Sequence, residues 1–174
     1  KKGAVWDEKK ITWFAGKHLK ELLVDDVISW LSKYSSYYNK PNSNYLRDIV
    51  RLIKDRAKTS YEIINFAQYF FEDPIKFDES SLKKRWKINS LSILDEFQSI
   101  LDVIEDNFTA PNLEYQLRDF AKVKGISIGE VIHPIRIAIT GEGVSPGIFE
   151  ILEIMGKEKV CKRLKTSLEK LSKL

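Results

Sequence analysis

Cysteine is almost missing from this chain of 174 residues: Cys161 stands alone, so no internal disulfide can form, which fits a reducing compartment. Histidine is nearly as scarce, with only His18 and His133, and one cysteine beside them leaves no zinc set. Glycine and proline number 8 and 5, too few for a turn-rich β fold. No apolar run approaches the ~20 residues of a membrane span. The start, Lys1-Lys2-Gly3-Ala4, has no apolar segment behind it and does not read as a signal peptide. It also lacks an initiator methionine, so the residues are expected to be part of a longer polypeptide. A Gly-rich phosphate loop is absent. Neither histidine has a clear nucleophile next to it, and the acids are scattered. The adjacent pair Glu72-Asp73 falls at a helix end, where a solvated terminus is the simpler reading than a general acid/base pair. Catalytic, cofactor-binding and metal-ligating residues are therefore expected to be none.

What is present points to helices. Hydrophobic residues make up 43%, enough for one sizeable core or two small ones, and Lys, Glu, Leu and Ile are common. Asp7 precedes a basic stretch over 8–20. Asp25-Asp26 places acids at the start of a helix over 27–37. Asn42 can cap a helix running to about Ala57, with Tyr45, Ile49, Leu52 and Ile53 on one face. Thr59-Ser60-Tyr61-Glu62 and Ser127-Ile128-Gly129-Glu130 are capping boxes. Asp73-Pro74 stops one helix and Gly125 another. Ser145 before Pro146 reads as an N-cap, and Gly156 separates that helix from a final one over 157–171, whose charges read as a solvated face. The turn Thr109-Ala110-Pro111 is the best boundary, giving subdomains 1–108 and 109–174. One segment is ambiguous. Ile135, Ile137 and Ile139 alternate with Arg136, Ala138 and Thr140 as in a strand, whereas the capping box upstream predicts a helix with Pro134 inside it. Helix is the expectation.

Three features favour RNA, although the net charge of +4 permits a nucleic-acid partner without requiring one. Trp13 and Phe14 sit among Lys9, Lys10, Lys17, His18 and Lys20. Single-stranded bases stack on such rings at about 1–3 kcal/mol each; equally, Trp13 can pack in a core while the lysines stay solvated. Lys54-Asp55-Arg56-Ala57-Lys58 ends a helix, where cations also suit the dipole. Arg136 stands in an Ile-rich run close to Ser145, and a half-buried Arg needs acceptors. They can come from a ligand or from the protein's own acids.

Together these segments resemble the C-terminal, all-helical anticodon-binding region of bacterial glutamyl-tRNA synthetases. The resemblance runs through Gly3-Ala4-Val5-Trp6-Asp7 and Trp13-Phe14-Ala15-Gly16-Lys17-His18-Leu19-Lys20. It continues in Leu52-Ile53-Lys54-Asp55-Arg56-Ala57-Lys58-Thr59 and Tyr69-Phe70-Phe71-Glu72-Asp73. Its most specific part is His133-Pro134-Ile135-Arg136-Ile137-Ala138-Ile139-Thr140-Gly141 with Ser145-Pro146-Gly147-Ile148-Phe149. Coverage is essentially complete, and the motifs occur in the family's order.

The resemblance implies an all-α fold of two packed helical subdomains forming a cage around the anticodon loop of tRNA-Glu. By matching positions, Arg56 corresponds to the arginine that reads the last anticodon base, a cytosine, whose acceptors meet a guanidinium fork. Trp13, Arg118, Arg136, Ser145 and Ile148 correspond to residues around the splayed anticodon bases, and Lys17 and Lys20 to backbone contacts. The family commonly has Asn-Gly-x-Tyr-Ile-Arg where this chain has Ala15 to Lys20, so Lys20 keeps the charge without the planar fork. HIGH-like and KMSKS-like motifs are absent, and ATP and Mg²⁺ would belong to an N-terminal catalytic domain in cis. The parent would be a cytoplasmic, monomeric glutamate-tRNA ligase with no membrane association. Two rivals remain: the anticodon region of a class I lysyl-tRNA synthetase, and a helical protein-interaction module without RNA binding.

Overall fold

A computed structural model describes residues 16–38, 43–57 and 59–173; among these every regular element is helical, and no helix is long and apolar enough to cross a membrane. The chain divides into two compact units, residues 1–71 and 72–174.

In the first unit, residues 16–21 are helical and lead into α1 (Val24–Leu31), a 3₁₀ turn (Ser36–Tyr38), α2 (Asn44–Lys54) and α3 (Ser60–Phe71). Asp25 and Asp26 do lie in the first turn of α1, which ends at Leu31, earlier than the expected Tyr37. Helix α2 buries Leu46, Ile49, Val50 and Ile53, an i, i+3, i+4, i+7 stripe that packs on α1 and α3. Thr59 caps α3, its Oγ1 accepting from the Glu62 N–H at 3.2 Å. Tyr45 donates to the Phe70 carbonyl at 2.9 Å, satisfying an acceptor that the end of α3 leaves open. Asn42, the expected cap of α2, lies outside the described residues, and Ser43 holds the N-cap position.

The second unit contains α4 (Glu79–Arg85), α5 (Ser90–Val103), α6 (Ala110–Lys124), α7 (Ile128–Thr140), α8 (Ile148–Met155) and α9 (Lys157–Leu171). Helix α7 is its centre and packs against α4, α5, α6 and α9. This resolves the ambiguity at 134–140 in favour of helix. Pro134, Ile135, Ile137, Ala138, Ile139 and Thr140 are all buried, so the segment is apolar nearly all round and shows no 3.6-residue period. Gly125 (φ 66°) and Gly141 (φ 78°) end α6 and α7 in the left-handed conformation.

The division between the units falls at Phe71/Glu72, beside the Asp73-Pro74 helix stop, rather than at 108/109. Pro111 is not a linker residue. It occupies the first turn of α6, where its missing N–H costs nothing, and both α5 and α6 pack on α7.

The Ser127 capping box forms in both directions: the Ser127 hydroxyl accepts from the Glu130 N–H, and the Glu130 carboxylate accepts from the Ser127 N–H at 3.0 Å. Ser127→Ala is expected to cost about 1 kcal/mol, read as a lower urea midpoint. The ion pair with Lys87, then the bonds from Ser127, hold the Glu130 carboxyl down from the usual 4.5 to about 2. A depressed carboxyl stabilises the fold in full above its unfolded pKa and loses that contribution as pH falls through the folded one. The stability gap between the parent protein and Glu130→Gln should therefore be constant above about pH 5 and close progressively toward pH 2. A gap independent of pH across that window would mean that the charge contributes nothing.

Candidate nucleic-acid interface

In the first unit, the end of α2 fixes two cations in opposite ways. Lys54 Nζ turns back and donates to the carbonyls of Lys20 (2.7 Å) and Leu22 (3.1 Å), closing the end of the helical residues 16–21. Its charge is used inside the fold. Arg56 follows two residues later. Its N–H donates to Ile53 O at 3.0 Å, and the Ala57 N–H donates to the same carbonyl at 2.9 Å. Ile53 and Ala57 are buried, so the backbone of Arg56 is held while its side chain is exposed. The guanidinium makes no ion pair with a described residue. Lys17 and Lys20 are exposed. Trp13, and with it the aromatic half of the first motif, lies outside the described residues.

In the second unit, Arg136 and Ser145 are brought together. Arg136 Nη1 donates to the Ser145 hydroxyl, to Ser145 O at 3.2 Å and to Pro146 O at 2.8 Å. Arg136 therefore braces the loop between α7 and α8 through that loop's own oxygens. Ser145 is not the N-cap of the next helix. Gly147 takes that position, and the Ser145 hydroxyl both accepts from Arg136 and donates to Pro146 O at 3.0 Å. The physical reason is the arginine: it engages the hydroxyl that would otherwise cap the helix. Thr140 tightens the same loop, its hydroxyl donating to Arg136 O at 2.8 Å while the Glu142 N–H donates to Thr140 Oγ1 at 3.0 Å.

Ile148, the first residue of α8, is buried to 2% exposure, so its side chain belongs to the core. What the position offers outward is the start of a helix. Arg118 is exposed on α6 and ion-paired to Glu114 one turn back at 2.6 Å.

Two residues have partners that the sequence reading does not supply. His133 sits one turn before Arg136 on α7, and Arg85, at the end of α4, donates to its Nδ1 at 3.0 Å. Burial, then Arg85, then Arg136, pushes the His133 pKa below its ordinary value, which favours the neutral ring that can accept this bond. The other is Arg163, in a helix read as solvated. It is 1% exposed, and Val160, Arg163, Leu164, Ser167 and Leu171 form the buried stripe of α9. That spacing was the available signal.

A family model described as an anticodon binding domain matches residues 22–168 of the chain. The glutamate–tRNA ligase of Chloroherpeton thalassium is 32% identical over 182 residues, spanning 98% of this chain and 36% of that protein. The glutamate–tRNA ligase of Moorella thermoacetica is 33% identical over 172 residues, spanning 94% and 35%. Among solved structures, a glutamate tRNA ligase from Elizabethkingia meningosepticum in complex with its amino acid superposes with a TM-score of 0.82 at 26% identity, over 97% of this chain and 34% of that one. The chain thus spans about a third of the length of the relatives it matches.

Proposed function

We propose that this chain, which belongs to the anticodon binding domain family, binds the anticodon stem-loop of tRNA-Glu as the C-terminal part of a glutamate-tRNA ligase. The observation that carries the reading is the family match over 22–168, because it takes in Arg56 and the Arg136–Ser145 loop together. The chain does no chemistry itself. It positions and checks the RNA, and the free energy of that contact helps align the acceptor end with activated glutamate in a catalytic domain in cis. ATP and Mg²⁺ act in that domain, in a monomeric cytoplasmic enzyme.

Arg56 reads the last anticodon base. The loop braced by Arg136 and Ser145 shapes the surface for the splayed bases, with the start of α8 at Ile148 beside it. Arg118 and Trp13 add contacts to the loop, and Lys17 and Lys20 hold phosphates. A class I lysyl-tRNA synthetase fits less well, since the matched relatives that cover nearly the whole chain are glutamate–tRNA ligases.

Titration of tryptophan emission with the tRNA-Glu anticodon stem-loop at low and moderate salt tests the reading. Saturable quenching that prefers the native loop over one with a changed last base is the expected result. Equal binding to both would leave only a basic RNA-binding surface, and no binding at low salt would sink the proposal.

A further inference from the structure

Most arginines of this protein have their charge answered from within. Arg47 pairs with Asp25, Arg51 with Asp48, Arg118 with Glu114 and Arg163 with Asp73. Arg85 is different. No carboxylate of a described residue lies within ion-pair distance of it, and it donates instead to the imidazole of His133. His133 accepts the hydrogen bond but brings no negative charge, so the guanidinium keeps its full positive charge at the surface, with donors to spare. Lys83 and Lys84 precede it in the last turn of α4, both exposed and neither ion-paired with a described residue. The nearby acids are engaged elsewhere: Glu130 with Lys87 and the Ser127 cap, and Asp78 with Ser80 and Ser81. Burial first, and then the positive charges of Arg85 and Arg136, hold the His133 pKa below its ordinary value.

Cations in a last helical turn suit the dipole, and that alone would explain Lys83 and Lys84. It does not explain why Arg85 reaches across to α7 instead of lying along its own helix end. The reach is fixed at both ends of α4. Its start is tied to the end of α7 by the Asp78 N–H donating to Gly141 O at 2.8 Å, so α4 runs back along α7 and delivers Arg85 beside His133. The outcome sets Arg85 against His133, one turn along the helix from Arg136 and its Ser145 loop, with Lys83 and Lys84 in the same last turn as Arg85.

We propose that the Arg85–His133 pair, with Lys83 and Lys84, is a phosphodiester-binding site that holds the RNA backbone beside the loop braced by Arg136. The site rests on the anticodon-loop reading above and adds to it a sequence-independent contact. A phosphate supplies the negative charge that Arg85 lacks among the described residues, and the guanidinium can meet it with two parallel N–H donors while Nη1 stays with His133. Phosphate contacts position an RNA without reading it.

The test is Arg85→Gln in the whole chain, with Arg85→Lys beside it, each checked for unchanged helical content and titrated with native and base-changed stem-loops across a salt series. Arg85→Gln should weaken binding by ~3–10-fold at moderate salt, equally for both loops, and lower the slope of log affinity against log salt by about one. Arg85→Lys should keep most of the slope. Unaltered affinity and slope in Arg85→Gln, with the parent protein binding normally, would overturn the site and leave the anticodon reading standing. A loss confined to the native loop would make Arg85 a base reader and overturn the backbone assignment. Failure of the parent protein to bind at low salt would remove both.

Discussion

Replacing Arg163 with alanine is expected to destabilise the protein by about 3–5 kcal/mol, the largest effect of any single change considered. The ion pair is not the main reason. Asp73 is 46% exposed, and a carboxylate so placed is solvated whether or not its partner remains. The larger share lies in two carbonyls. Arg163 Nη1 donates to Ile139 O at 3.0 Å, an acceptor in the last turn of α7, and Nη2 donates to Glu72 O at 2.9 Å. Leaving the buried Ile139 carbonyl unsatisfied costs about 1–3 kcal/mol, and losing the bond to the part-buried Glu72 carbonyl adds less. The buried stem of the side chain adds packing. Arg163→Met, which keeps the stem, should recover part of the loss, whereas Asp73→Asn, whose amide oxygen can still accept from Arg163 Nε, should cost less than Arg163→Ala. Urea denaturation followed by circular dichroism measures all three. Equal losses in Asp73→Asn and Arg163→Ala would show that the ion pair, and not the carbonyls, carries the effect.

Arg163 also marks where sequence reasoning stops. Local signals transferred well to the structure because their physics is local. The Ser127 box, the Thr59 cap, the Gly125 and Gly156 breaks and the bounds of the last helix each depend on residues within a few positions of one another. The charges of the final helix over 157–171 read as a solvated face, but burial depends on which stripe of the helix a residue occupies, and Arg163 falls on the apolar one. Partner choice is less legible still. The need of Arg136 for acceptors could be inferred, yet not that the Ser145–Pro146 loop would supply them and thereby displace Ser145 from the cap. Arg85 and His133 lie 48 residues apart, and only the antiparallel course of α4 along α7 joins them. Likewise Thr109-Ala110-Pro111 reads as a boundary because a proline opening a helix and a proline ending a domain carry the same local signature.

The same distinction between answered and unanswered charge decides what Arg56 should do. Arg56→Ala is expected to reduce the preference for the native last anticodon base by ~1–3 kcal/mol, roughly 5–150-fold, with the loss seen on the native stem-loop and little change on the altered one. Stability should stay within about 0.5 kcal/mol of the parent, because the side chain is exposed and makes no ion pair with a described residue. The backbone beneath it is held by two hydrogen bonds to Ile53 O and by the buried Ala57, so the guanidinium is presented from a fixed point and loses less freedom on binding. Lys54, two residues earlier, provides the contrast: its ammonium already serves the carbonyls of Lys20 and Leu22, so Lys54→Ala should lower stability without changing base preference. Arg56→Lys separates charge from shape. A lysine keeps the attraction for phosphate but cannot offer the planar fork, so it should retain the salt dependence of binding and lose the discrimination. Parallel titrations of the three variants with native and altered loops read these outcomes directly. Equal weakening of both loops by Arg56→Ala, with discrimination intact in Arg56→Lys, would reduce Arg56 to a phosphate contact and move base reading to another residue.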